Sequence, residues 1–179
     1  MGEVREAPKG YFQKWSGQRV KADLPQVKLS QGLWSFIGGF VGITLLAYLA
    51  LQGQLFTLFA PFGASAVLLY GAPAAPFSQP RNLLGGHLLA AFIGVTVNNF
   101  FGSGFLAVGL GVALAIGLMV MLRVVHPPAG ATALLGVTAS QGSYAWLVSP
   151  VLAGALLLLL VALVVNNLDP ERHYPAYWY

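Results

Sequence analysis

Pro61-Phe62-Gly63-Ala64-Ser65-Ala66-Val67-Leu68-Leu69 returns later in the chain as Pro128-Ala129-Gly130-Ala131-Thr132-Ala133-Leu134-Leu135-Gly136, one P-x-G-A-[ST]-A-[VL]-L pattern written twice. Proline has no N–H and a fixed φ, so it suits the first turn of a helix. Each copy is therefore read as a helix starting, with Gly63 or Gly130 leaving room for another backbone or a ligand. A long apolar run precedes each copy. Another follows it and ends in an asparagine pair, Asn98-Asn99 in the first case and Asn166-Asn167 in the second, while Gly85-Gly86 has a counterpart in Ala153-Gly154. Two halves of three segments are implied. Because three is odd, the second half sits upside down relative to the first, which is the inverted-repeat plan common among transporters.

The rest of the chain says what these segments sit in. Hydrophobic residues make up 57% and charged residues 8%, against about 25% charged in an ordinary soluble domain, so a water-facing surface is excluded. Between Asp23 and Asp169 there is no acidic residue, and the basic ones are Lys28, Arg81 and Arg123. A bilayer core takes about 20 apolar residues per helix. Leu33–Gln52, Leu83–Phe101, Phe105–Val125 and Leu147–Asn166 meet this, whereas Leu55–Gly71 and Pro127–Gln141 are shorter, open near prolines, and either span or re-enter. Six crossings put the N-terminal tail, Arg81, Arg123 and Arg172 on one side, as the positive-inside rule asks; re-entry would split them. The expected fold is an all-α membrane protein of about six segments. Residues 1–32 form a polar basic cytoplasmic tail, 33–168 the transmembrane domain (repeats 33–101 and 105–168), and 169–179 a short C-terminal tail.

A formal charge of +4 invites a nucleic-acid reading, but six of the nine basic residues (Arg5, Lys9, Lys14, Arg19, Lys21 and Lys28) lie in the tail. There they read as a topology signal and a contact for lipid head groups. No nucleic-acid partner is expected. The absence of cysteine rules out disulfides, thiolate metal sites and a thiol nucleophile. The first apolar run begins too late for a cleaved signal peptide, and the start lacks the acid-poor look of a transit peptide. The expected location is a prokaryotic plasma membrane, multi-pass, with both termini cytoplasmic.

At His126-Pro127-Pro128-Ala129-Gly130-Ala131-Thr132-Ala133-Leu134 the chain resembles the HPP family of integral membrane proteins, named after that tripeptide. Pro61 to Leu69, Ser78-Gln79-Pro80-Arg81-Asn82 and Arg172-His173-Tyr174-Pro175 fit as well, so the resemblance covers nearly the whole chain from Leu33 onward. It implies a small multi-spanning protein, with nitrite transport proposed for cyanobacterial and chloroplast members and no function assigned to many others.

The residues available for chemistry are few. Helix N-termini favour anions, so the two motif starts, with Gly63, Ala64, Ser65 and Gly130, Ala131, Thr132, are candidate substrate contacts, and Pro61, Pro127 and Pro128 shape them. The competing reading is that these small residues only let helices pack closely. Arg81, beside Asn82, falls in a helix's first turn, where the dipole disfavours a cation. A carbonyl, a lipid phosphate or a bound anion must compensate it, unless it snorkels to the interface. Arg123 reads as an anchor at a helix C-terminus or, by the repeat alignment, as a deeper residue. His126 caps a helix, gates a path or carries a proton. His87, inside the third segment, should face the bundle interior. The asparagine pairs are read as caps or interhelical bonds, and Trp34, Tyr144, Trp146, Tyr174, Tyr177, Trp178 and Tyr179 as interfacial belts.

An acid-free membrane body holding two arginines and two histidines suits an anion better than a cation. The function expected first is therefore a transporter or channel for a small inorganic anion, nitrite above all, in a homo-oligomer whose contacts include Gly38, Gly39 and Gly42. The second is a scaffold or assembly protein that transports nothing. A haem held by His87 and His126 is a remote third, and an intramembrane enzyme finds neither a carboxylate pair nor a nucleophile with its base. No catalytic residue, metal or cofactor is expected.

Overall fold

A computed structural model describes residues 11–12, 28–53 and 59–178. The basic residues Arg5 to Lys21, the expected segment start at Leu55, and Tyr179 lie outside the described residues. Among those described the chain is helical, with no strand: α1 (Leu29–Gly53), α2 (Phe59–Ala66), α3 (Pro80–Phe101), α4 (Phe105–Met121), α5 (Ala129–Thr138) and α6 (Ala153–Leu168). A π-helical stretch, Val67–Gly71, extends α2; another, Leu147–Leu152, leads into α6; a 3₁₀ turn, Pro76–Ser78, precedes α3.

Three apolar stretches are long enough to cross a membrane, Leu29–Gln52, Pro80–Phe101 and Leu147–Leu168, and Ala60–Gly71, Phe105–Met121 and Ala129–Thr138 are shorter. The helix expected over Phe105–Val125 stops at Met121. Arg123 adopts the left-handed region with φ 56, and the N–H groups of Arg123 and Val124 turn back onto the carbonyls of Val120 and Met119, closing α4 with a left-handed C-cap. Two consecutive prolines, which have no N–H to continue a helix, then keep α5 short. Its ten residues rise about 15 Å, half of a bilayer core.

Ion pairs and hydrogen bonds fix which ends are neighbours. Lys28 Nζ reaches Glu171 Oε1 at 2.7 Å, and Arg172 Nη2 donates to Ser35 Oγ at 3.0 Å, so α1 begins where α6 ends. Arg81 Nη2 donates to Leu122 O at 3.1 Å, setting the start of α3 beside the end of α4. Tyr174 Oη donates to Ser78 O at 2.7 Å and joins the two groups. All four described basic residues thus share one end of the molecule. At the other end Asn99 Nδ2 donates to Gly142 O at 3.0 Å.

Between helices in lipid there is no apolar transfer term, so close contact and interhelical hydrogen bonds hold the bundle. α1 turns Gly38, Gly42, Leu46 and Ala50, one residue in four, inward and leaves Leu33, Phe36, Phe40 and Leu49 exposed. The Tyr70 ring lies on Gly38, where an added Cβ would stand 2.7 Å from Tyr70 Cδ1, and its hydroxyl donates to Leu158 O at 3.1 Å. Gly38 and Gly42, expected at an oligomer contact, are consumed inside the subunit; only Gly39 faces open space. α3 holds α5 through a glycine crossing, where a Cβ on Gly136 would come within 2.9 Å of Gly94 Cα, and through Asn98 Nδ2 donating to Val137 O at 2.6 Å. α6 holds α2 in a parallel way, with Gly154 under the Phe62 ring and Asn166 Nδ2 donating to Leu69 O at 3.0 Å. Exposed rows such as Phe105, Leu106, Leu110 on α4 and Leu160, Val164, Leu168 on α6 form the outer apolar surface a bilayer requires.

The C-terminal tail is built into the body. Arg172, nearly buried, pairs with buried Asp169 at 3.1 Å and donates to Tyr70 O and Asn166 Oδ1 at 3.0 and 3.1 Å. Tyr174 is 1% exposed, so it is an anchor in the protein interior and not part of an interfacial belt; Trp146 is buried too. Burial raises the Tyr174 phenol above its ordinary range, helped by Tyr70. The hydrogen bond that Lys28 donates to Glu171 likewise raises the Lys28 ammonium.

Candidate functional site: an imidazole–hydroxyl chain beneath two arginines

His87 sits seven residues into α3, about 10 Å below the basic end. Its neighbour Gly86 is what lets His126 approach: an added Cβ there would stand 2.6 Å from His126 Cβ. His87 Nδ1 lies 2.8 Å from Thr132 Oγ1 and Nε2 lies 2.9 Å from Ser65 Oγ. One imidazole therefore bridges the hydroxyls at equivalent places of the two P-x-G-A-[ST]-A motifs. Ser65 Oγ is also 2.9 Å from His126 Nε2 and 3.0 Å from Pro61 O. His126 Nδ1 is 2.7 Å from Phe77 O. Ser65, His87, His126 and Thr132 are all fully buried, and Phe62 packs against the His87 ring at 5.2 Å.

The hydrogen-bond directions follow from chemistry. A carbonyl only accepts, so His126 Nδ1 carries a hydrogen, and in a neutral ring Nε2 is then an acceptor. Ser65 can donate to it, His87 Nε2 can donate to Ser65, and Thr132 can donate to His87 Nδ1. The result is a directed chain, Thr132 to His87 to Ser65 to His126 to Phe77 O.

Above the chain, at the basic end, lies a hollow of about 340 Å³ lined by Pro76, Phe77, Arg81, Asn82, Arg123, Val125 and Tyr177. Its walls carry two guanidinium groups and no carboxylate. Phe77, which receives His126, and Val125, which precedes it, place the hollow directly over the buried chain. Asn82 Nδ2 donates to Val125 O at 2.8 Å and latches the α4–α5 connection. Arg81 finds its compensation in the carbonyl of Leu122 at the end of α4. The surrounding loop is fixed by Gln79, whose Nε2 donates to Pro73 O and Ala75 O at 2.9 and 3.0 Å and whose Oε1 accepts from Ala176 N at 2.8 Å.

The expected site residues thus divide into groups. Ser65, Thr132, His87 and His126 meet in the buried chain; Arg81, Asn82 and Arg123 meet in the hollow. Gly63, Ala64, Gly130 and Ala131 join neither. Ala64 is exposed, and nothing stands within 4 Å of a Cβ built on Gly63 or Gly130. Gly63 instead borders a groove against α1 shared with Ser35, Gly39 and Tyr70. The first amides of α5 do not point ahead as free donors: those of Ala129, Gly130 and Ala131 bond back to the carbonyls of His126, Pro127 and Pro128. Pro61 contributes its carbonyl, Pro128 is buried as the N-cap of α5 and Pro127 is exposed. A haem between the histidines has no space, because their rings stand 4.8 Å apart with Ser65 between both Nε2 atoms. Among the described residues no three His, Cys, Asp or Glu side chains cluster for a metal ion. Sequence reasoning missed the Phe77 carbonyl and Tyr177.

Comparison with known proteins finds transmembrane relatives. Two curated transmembrane proteins of Dictyostelium discoideum are similar: one is 39% identical over 180 residues, 94% of this chain and 63% of its own length, the other 38% identical over 184 residues, 94% of this chain and 57% of its own. The chain therefore spans about three-fifths of the length of these relatives. No solved structure matches. The family model described as "HPP, transmembrane region" matches residues 24–175, and the chain belongs to the HPP family of integral membrane proteins.

Proposed function

We propose that the protein moves a small inorganic anion, nitrite above all, across the membrane, and that the two-arginine hollow is where the anion is collected. The supporting observation is the pairing of Arg81 and Arg123 on the wall of an acid-free hollow set on the carbonyl that anchors His126. Guanidinium groups recognise planar oxyanions through paired N–H donors, and nitrite is small, planar and singly charged. Formate, nitrate and chloride suit the same field, and the family resemblance is what favours nitrite. The buried hydroxyls and imidazoles below the hollow are the polar groups an anion would meet further in, and a desolvated anion needs hydrogen-bond donors.

The reading extends to the whole chain. The reciprocal clamps, α3 on α5 and α6 on α2, support two inverted three-segment halves meeting at His87, as in carriers with a site near the bilayer midplane. The grouping of basic residues at one end supports cytoplasmic termini. A homo-oligomer with a contact at Gly39 and the groove beside it completes the reading. The chain is read as a transport protein and not as an enzyme. Nitrite uptake into proteoliposomes, compared with nitrate and chloride, tests the proposal. Arg81→Gln, which removes the charge and keeps an amide donor for Leu122 O, is expected to reduce nitrite uptake at least tenfold while the protein remains folded, a loss of about 1.4 kcal/mol or more. Unchanged uptake would remove the hollow from the pathway. If no anion moves above protein-free vesicles, the scaffold reading replaces this one.

A further inference from the structure

One buried side chain stands behind most of the wall of the hollow. Gln79, 0% exposed, immediately precedes α3. Its Nε2 donates to the carbonyls of Pro73 and Ala75, and its Oε1 accepts from Ala176 N. A carboxamide offers two N–H donors and an acceptor oxygen, and here they join two separate segments, the loop before α3 and the C-terminal tail. The wall residues lie close in sequence to these attachments. Pro76 adjoins Ala75, Phe77 comes shortly before Gln79, Arg81 and Asn82 come shortly after it, and Tyr177 adjoins Ala176. The rest of the wall is held at second hand: the connection carrying Arg123 by Arg81 on Leu122 O, and Val125 by Asn82.

The tail is already fixed before it reaches the hollow. Tyr174 Oη donates to Ser78 O, and Asn167 brackets the Tyr174 backbone, its Oδ1 accepting from Tyr174 N at 3.1 Å and its Nδ2 donating to Tyr174 O. The further bond from Ala176 N to Gln79 directs the next residue, Tyr177, onto the wall beside the two arginines. Tyr177 stays 41% exposed there. Among the described residues neither the Tyr177 hydroxyl nor the Arg123 guanidinium has a hydrogen-bond partner, and Arg81 is engaged through Nη2 alone. All three keep donors for a solute, and no carboxylate on the wall competes for them.

We propose that the C-terminal tail completes the anion site: Tyr177 donates a hydrogen bond to the anion held by the arginines, and Gln79 is the positioning residue that sets Tyr177 there. This rests on the anion-collecting reading of the hollow and adds a third recognition group to it. The guanidinium groups supply charge and paired N–H donors. A phenol adds a neutral donor that orients the anion without adding charge, and a hydrogen bond to a charged acceptor is worth about a factor of ten in binding.

The test measures nitrite uptake into proteoliposomes against nitrite concentration. Tyr177→Phe keeps the ring at an exposed position, and it is expected to raise the half-saturating concentration about tenfold with a smaller effect on the maximal rate. Gln79→Met keeps the length of the side chain, removes all three bonds, and is expected to do at least the same. In its background Tyr177→Phe should add less than about twofold, because the phenol is no longer in place. Ala176→Pro removes the N–H that reaches Gln79 from the exposed side, and it replaces Gln79→Met in the cycle if that variant does not fold. Binding is read separately in lipid nanodiscs, from the shifts of the Arg81 and Arg123 Nε resonances of ¹⁵N-arginine-labelled protein as nitrite is added. Native uptake with an unchanged half-saturation in Tyr177→Phe overturns the proposal and leaves anion transport standing. Independent, multiplying effects of the two substitutions overturn the positioning role of Gln79. If the native protein moves no nitrite, the resonance titration decides alone: saturable shifts weakened about tenfold by Tyr177→Phe uphold the three-group site, and shifts indifferent to it, or none, overturn it.

Discussion

Replacing Arg172 with alanine should be among the most damaging single changes in the tail. Its guanidinium pairs with Asp169 at 3.1 Å, with side chains 9% and 4% exposed. It also donates to Tyr70 O, Asn166 Oδ1, Gln31 O and Ser35 Oγ, so it ties α1, the π-helical end of α2 and α6 to one point. Hydrogen bonds from a charged donor contribute about 1.5–3 kcal/mol each, but these belong to one group and do not add independently. The better guide is the orphaned carboxylate: breaking a buried pair by removing one partner costs about 3–5 kcal/mol. Unfolding of the purified protein by SDS titration in mixed micelles should show a loss of that size. Asp169→Ala in the same background should recover part of it, with a coupling of about 1–3 kcal/mol in the double-mutant cycle. A loss below about 1 kcal/mol for Arg172→Ala, or no coupling, would show that the tail is not an integral brace and that the contacts are incidental.

Three further outcomes follow from the packing. Gly86→Ala must displace the His126 connection, since its Cβ would meet His126 Cβ at 2.6 Å and Val124 O at 3.1 Å, and should cost about 1–3 kcal/mol as overpacking; Gly130→Ala, with open space around it, should be neutral or stabilising by up to about 1 kcal/mol from helix propensity. The same SDS titration compares them, and a reversed order would contradict the packing described. Asn98→Leu removes the bond to Val137 O and should weaken the α3–α5 clamp by about 0.6–2 kcal/mol, read as faster hydrogen exchange at the end of α5. Tyr174→Phe loses the bond to Ser78 O, about 1 kcal/mol. Because burial raises the folded Tyr174 phenol above its ordinary value of 10.0, its contribution is complete below pH 10 and is lost as the pH climbs towards the folded value. Alkaline unfolding of native protein should therefore be steeper above pH 10 than that of Tyr174→Phe.

Much of this molecule is visible in its residue types. The acid-free apolar body requires lipid, the proline-led motifs require short helices, and the asparagine pairs at helix ends do make interhelical bonds. Arg81, a cation in a helix's first turn, announced a compensating partner, and the carbonyl of Leu122 supplies it. What could not be read depends on approach between distant segments. Every residue has a carbonyl, so nothing in the sequence singles out Phe77 as the acceptor for His126. Glycines look alike on paper, yet Gly86 and Gly94 are crossing points while Gly63 and Gly130 face open space. The apolar run to Val125 hides the end of α4, because the left-handed turn at Arg123 is a product of the connection to His126 and not of hydropathy. The terminal aromatics look like a belt by composition, whereas Tyr174 turns inward because Ser78 and Asn167 are there to receive it.

Lys28, Arg81, Arg123 and Arg172 all gather at one end, and among the described residues the opposite end carries no ionisable cation. The two ends of the molecule therefore present unequal fields to an anionic solute. An anionic solute arriving at the arginine side is drawn in by the local field, and added salt slows that capture by shortening its range. One arriving from the far side relies on diffusion alone, indifferent to ionic strength.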